Sequence, residues 1–165
     1  MPLVEIARWT LLVLITLVLA FAAAVDVKER RIPNWTVLAL AGLFVGWAVV
    51  GPDVSLLGAF EAGLIMFAFS VGFYMMGLAG AGDSKLVSVV ALFVGMKHLL
   101  LFLLTMSLAG GAVAIFLIAL SPRRALVIFQ TRGQVGLGRT VPYGVPIALA
   151  GVATLVPQLT GIPLW

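Results

Sequence analysis

The chain has 165 residues, of which 63% are hydrophobic, with a mean hydropathy of +1.24; this excludes an ordinary soluble domain and points to a polytopic membrane protein whose first partner is the lipid bilayer. With no cysteine, disulfides and thiolate metal sites are excluded, and nothing is polar enough to form a separate soluble unit, so residues 1–165 read as one membrane-embedded domain. The net charge of +4 is gathered in two loops and reads as membrane topology rather than as a nucleic-acid surface.

A span takes about 20 mostly apolar residues. The first covers residues 9–26. Arg8, the apolar run 11–21 and Ala22-Ala23-Ala24 imitate a signal peptide, but Glu5 lies in the same flank and the basic cluster follows the apolar run, so a retained helix is expected. The second starts near Pro33, a good first-turn residue, and ends near Val50 before the turn Gly51-Pro52-Asp53. The third covers residues 56–78 and is stopped by the glycine-rich run 77–82. A short fourth helix, 84–95, is interrupted by Lys97 and His98, and a fifth continues from 99 to 120. Residues 125–140, with Gly133, Gly136 and Gly138, read as an interfacial or re-entrant loop. A sixth helix runs from Pro142 or Val145 to Thr160, and Trp165 is placed as an interfacial anchor.

Merging the fourth and fifth helices would leave five spans, and charge decides between the two counts. With six, Lys28, Arg30, Arg31, Lys85, Arg123, Arg124, Arg132 and Arg139 share one side, and only Arg8 and Lys97 lie on the other. Eight against two is a positive-inside pattern. The fold expected is therefore an all-α bundle of about six transmembrane helices. Residues 27–32 and 121–141 are then cytoplasmic, and residues 51–55 and 96–98 outside. Asp26 and Asp83 fall at equal depth on the cytoplasmic side.

Only six acidic residues occur, and these two sit in conspicuous surroundings. One is Asp26-Val27-Lys28-Glu29-Arg30-Arg31-Ile32-Pro33-Asn34; the other is Gly80-Ala81-Gly82-Asp83-Ser84-Lys85. Glycines ahead of Asp83 let the backbone leave helical geometry and would leave room beside the carboxylate for an extended peptide. As plain local structure, the same residues end one helix and cap the next. Asp26 would then be a solvated loop carboxylate, Lys28, Arg30 and Arg31 lipid anchors, and Ile32-Pro33-Asn34 a sharp re-entry. Carboxylates near a membrane are costly, and two at one face suit an aspartyl dyad. Such a pair shares a proton; the ionised member activates water and the protonated one serves the carbonyl oxygen. Which aspartate is which stays open. Lys28 and Lys85 are placed either to act on the pair or to meet lipid headgroups.

Taken together, Asp-x-Lys-x-x-x-Ile-Pro-Asn followed by Gly-x-Gly-Asp-x-Lys resembles the type IV prepilin peptidases, the GxGD-type membrane aspartyl proteases of bacterial pilus and secretion systems. The short 27–32 loop resembles the branch that serves tight-adherence (Flp-type) pili. Val141-Pro142-Tyr143-Gly144-Val145 is similar to the proline-glycine signature before that family's last helix. The resemblance implies Asp26 and Asp83 as catalytic residues, supported by Gly80, Gly82, Lys28, Lys85, Pro33, Asn34, Pro142, Tyr143 and Gly144. It also implies a prepilin precursor as substrate, no cofactor or metal, and a home in the bacterial inner membrane. The bifunctional members carry an extra cytoplasmic region, often with cysteine pairs, tied to methylation of the mature pilin. This chain has neither, so methyltransferase activity is not assigned.

The competing class is a small ion- or proton-coupled transporter, since paired carboxylates near a broken helix also suit cation coupling. Such a protein would place its acids near the midplane and show repeat symmetry, and neither is visible. His98, alone beside Lys97 at the outer turn, is not expected to be catalytic or a metal ligand. Glu61 is interfacial or pairs with a neighbouring helix, and Asp53 is a turn residue. The oligomeric state is left open.

Overall fold

A computed structural model describes residues 2–52, 55–120 and 142–161, all built on α-helices: α1 (Pro2–Glu29), α2 (Asn34–Val50), α3 (Leu56–Met75), α4 (Ala81–Leu120) and α5 (Gly144–Thr160). The expected interfacial segment 125–140, the turn residue Asp53 and the anchor Trp165 lie outside the described residues. Three helices, Leu3–Glu29, Leu56–Met75 and Ala81–Leu120, are long and apolar enough to cross a membrane, and α2 and α5 are shorter apolar helices. The protein is an all-α membrane bundle.

At 1.5 Å per residue the 40 residues of α4 would reach about 60 Å, roughly twice the hydrocarbon thickness, if straight. They are not straight. Gly95 has φ 67 and ψ 170, a conformation open to glycine but strained for residues with a side chain. Contacts along α5 show that the chain folds back there. Gly151 lies against Val90 and Gly110 lies against Pro146, so positions 90 and 110 approach points only five residues apart on α5. The 40-residue element is thus two antiparallel arms, 81–94 and 96–120. The interruption expected at Lys97 and His98 falls at Gly95 instead. Both residues are helical.

The remaining order follows from paired contacts. α1 runs antiparallel to α5, with Asp26 at Gly144 and Leu19 at Gly151. It runs antiparallel to α2, where Leu11 meets Gly46 and Phe21 meets Trp35. α3 runs antiparallel to the first arm of α4: Ser70 bonds to Ser84, Gly63 packs on Leu92, and Gly58 lies by Met96. Buried Ala59, Ala62 and Gly63 allow that close approach, as small residues do between membrane helices. Phe44 and Trp47 of α2 stack edge-on against Phe93, locking α2 to the same arm. One end of the bundle therefore holds Asp26, Asn34, Gly80–Asp83, Gly144 and the end of α4. The other holds Val50, Ser55, Gly95 and the first turns of α1.

Helix ends differ from the expected ones for identifiable reasons. α1 begins at Pro2, not residue 9, because Arg8 finds partners: it pairs with Glu5 at 3.2 Å and donates from Nε to the carbonyl of Val50, in the last turn of α2, at 2.6 Å. It also runs past Asp26 to Glu29, leaving residues 30–33 as the loop; Arg30 ends it with φ 55 and an N–H to the Asp26 carbonyl at 2.9 Å. Ser55 caps α3 by accepting from the Gly58 N–H. α3 ends at Met75 in a Schellman motif: Gly77, at φ 73, donates to Tyr74, and Leu78 donates to Phe73.

Candidate active site

Asp26 lies three residues before the end of α1 and is 6% exposed, so it is not a solvated loop carboxylate. Burying it near a helix C-terminus, the negative end of the dipole, is unfavourable by itself. The fold compensates by aiming the N-terminus of α5 at it. The N–H of Gly144, the first residue of α5, donates to Asp26 Oδ2 at 2.8 Å, and the Arg30 charge also acts on the carboxylate.

Asp83 is the third residue of α4, where an acidic side chain meets the positive end of the helix dipole. Its Oδ2 accepts from the N–H of Gly80 at 3.1 Å, the residue before the helix, which is the carboxylate half of a capping box. Both aspartates are thus tied through one oxygen to a backbone amide at a helix start. The Asp26 charge acts on Asp83, so the two carboxylates stand within electrostatic reach, although 57 positions separate them in sequence.

The motif residues around them interlock. Gly82 lies against Ile32, whose Cβ would stand 3.1 Å from a side chain there. Asn34 Oδ1 accepts from Lys85 Nζ at 3.2 Å. The first signature's Ile-Pro-Asn therefore docks on the second signature's Gly-Asp-x-Lys. This revises the expectation that Gly80 and Gly82 leave room for a peptide. The space at Gly80 is filled by the Asp83 carboxylate, 2.9 Å from where a Cβ would stand, and that at Gly82 by Ile32. Pro33 is the N-cap of α2, with Thr36 bonded to its carbonyl at 2.7 Å, and so sets the return angle of the chain. Pro142 is buried and Tyr143, the N-cap of α5, is exposed. Lys28 is exposed on the last turn of α1, and Lys85 turns its ammonium to Asn34.

Sequence reasoning missed a seam of serines below Asp83. Ser84 Oγ donates to the carbonyls of Ser70 and Gly80, Ser70 Oγ to that of Ser84, and Ser88 Oγ to that of Ser84. All three serines are buried. They staple α3 to the start of α4, and the only signal for them was small polar residues on apolar helices. Glu61 is exposed on α3 towards the other end, and among the described residues no group of three or more His, Cys, Asp or Glu gathers into a metal-binding cluster.

The site is thus a pair of amide-held carboxylates, Asp26 buried and Asp83 half-buried, at one end of a membrane bundle. Family comparison names it: the model of the type IV leader peptidase family matches residues 13–115, a stretch holding both aspartates, and the chain belongs to that family. No curated protein and no solved structure matches. Residues 142–144 lie beyond the matched stretch.

Proposed function

We propose that the chain is an aspartic endopeptidase that removes the basic leader from type IV prepilins of the Flp type at the cytoplasmic face of a bacterial inner membrane, with Asp26 and Asp83 as its dyad. Membership of the leader peptidase family supports a peptidase acting on such precursors. The observation that carries the finer reading is the placement of Asp26 and Asp83 at one end of the bundle, within electrostatic reach and each held by a backbone amide. The short loop at 30–33 and the absence of cysteine favour the short branch and give no basis for methyltransferase activity.

In this mechanism the ionised carboxylate takes a proton from water, whose oxygen attacks the scissile carbonyl carbon. The protonated partner gives its proton to the carbonyl oxygen. As the tetrahedral intermediate collapses, the C–N bond breaks and the leaving amine takes up a proton from the dyad. Desolvation by the bundle strengthens these interactions relative to water. The transporter alternative needs a broken helix at the acids. The break at Gly95 lies at the opposite end.

Co-expression with a short precursor carrying a basic leader, a glycine and then an apolar helix tests the proposal. Mass measurement should show the precursor shortened by its leader. A precursor of unchanged mass beside well-expressed, membrane-inserted enzyme refutes it.

A further inference from the structure

We propose that Gly144 is a positioning residue: its backbone N–H, at the first turn of α5, holds the Asp26 carboxylate in its working orientation, and the missing side chain leaves room for the approach. The inference rests on the dyad reading above. Three observations lead to it. First, the Gly144 N–H donates to Asp26 Oδ2 at 2.8 Å across 118 positions of sequence, in a buried setting. Second, a Cβ at Gly144 would stand 3.0 Å from both Asp26 Cβ and Oδ2 and 3.3 Å from Cγ, so a side chain there crowds the carboxylate, which must give way by a few tenths of an ångström. Third, the anchor is well packed. Pro142, Gly144, Pro146, Ile147 and Ala148 are all buried, and α5 is packed along its length on α1 and α4.

The need for such an anchor is physical. Asp26 sits at the wrong end of its own helix dipole, whereas Asp83 is held by its own helix start. Asp83 is therefore oriented by local sequence, whereas the backbone amide that holds Asp26 belongs to a helix that arrives more than a hundred residues later. An amide at a helix N-terminus is an effective donor to a carboxylate. Losing it lets the side chain rotate, and a displacement of about 1 Å at a catalytic group costs roughly 100-fold in rate.

The test is steady-state cleavage of the leader-bearing precursor in detergent or proteoliposomes. Gly144→Ala should lower kcat by about 100-fold with KM unchanged. Gly151→Ala is the packing control. It crowds α5 against both α4 and α1, with a Cβ 3.0 Å from Val90 and 3.3 Å from Leu19, but far from Asp26. It should lower the melting temperature without a comparable fall in kcat. Should Gly144→Ala fail to fold, replacement of the Gly144 amide by an ester through glycolic acid incorporation removes the donor and adds no atom to the site. The ester should lower kcat by about tenfold at constant KM, the fold-change that loss of one hydrogen bond of about 1.4 kcal/mol gives. Full activity of the ester or of Gly144→Ala, or equal kcat losses in Gly144→Ala and Gly151→Ala, overturns the positioning role. A wild-type enzyme that leaves the precursor uncut instead refutes the dyad reading itself.

Discussion

The two ends of the bundle differ in how completely their buried polar groups are paired. At the end that holds the aspartates, buried Asp26, Thr36, Ser70, Ser84 and Ser88 all have hydrogen-bond partners, and glycines at 80, 82 and 144 are filled by neighbouring atoms. At the other end Arg8 and Thr154 are paired, but among the described residues the indole N–H of fully buried Trp47 and the amide nitrogen of Gln158 have no partner, Gly95 has open space around it, and Lys97 and Glu61 are exposed. A buried donor left without any partner, water and lipid included, costs about 1–3 kcal/mol. Both ends turn the chain, at 30–33 and 76–80 on one side and at Gly95 on the other; the aspartate end also holds side chains in fixed orientation, as a catalytic constellation requires.

The contrast breaks most sharply at the carboxylates. Asp26→Asn and Asp83→Asn should each lower precursor cleavage by on the order of 10³-fold or more while leaving yield and melting temperature close to wild type. Mass measurement of the co-expressed precursor reads this directly, and substantial turnover by either variant removes that residue from the dyad. Next in size is the docking of the two signatures. Gly82→Val drives a branched side chain into Ile32 and should cost about 1–3 kcal/mol, seen as a lower melting temperature in detergent together with reduced cleavage. Wild-type stability in this variant would mean that the loop at 30–33 is not seated on α4. A smaller effect is expected at Lys85→Met, which removes an exposed bond to Asn34; cleavage should fall by less than about tenfold, since exposed contacts contribute little. At the far end the sign reverses. Gln158→Met removes an unpartnered donor and should leave cleavage unchanged while raising stability by up to about 1 kcal/mol in thermal unfolding.

The helical class and the shared end of Asp26 and Asp83 were legible because run length and the eight-against-two charge pattern act through the bilayer, an environment that sequence reports directly. The break in α4 was legible in kind but displaced. Lys97 and His98 are the conspicuous residues, yet the helix turns at Gly95, the residue able to adopt φ 67. The start of α1 was not legible, because Arg8 is accommodated by a carbonyl at position 50, a tertiary partner. The same holds for the glycines. Sequence could say that Gly80 and Gly82 free the backbone, but not that Asp83 and Ile32 fill the space they leave. The amide that holds Asp26 comes from position 144 and shows in no local pattern.

The central claim is that the two aspartate signatures meet at one face of the membrane. Cysteine substitutions report it cleanly, since the chain has none of its own. Lys28→Cys and Lys85→Cys are exposed positions flanking the two carboxylates, and Ser55→Cys is exposed at the opposite end. A membrane-impermeant thiol reagent applied to intact cells should label Ser55→Cys and spare both Lys28→Cys and Lys85→Cys, which should label once the membrane is permeabilised. Labelling of one lysine-site cysteine from outside, with the other protected, would place Asp26 and Asp83 on opposite faces and contradict the dyad.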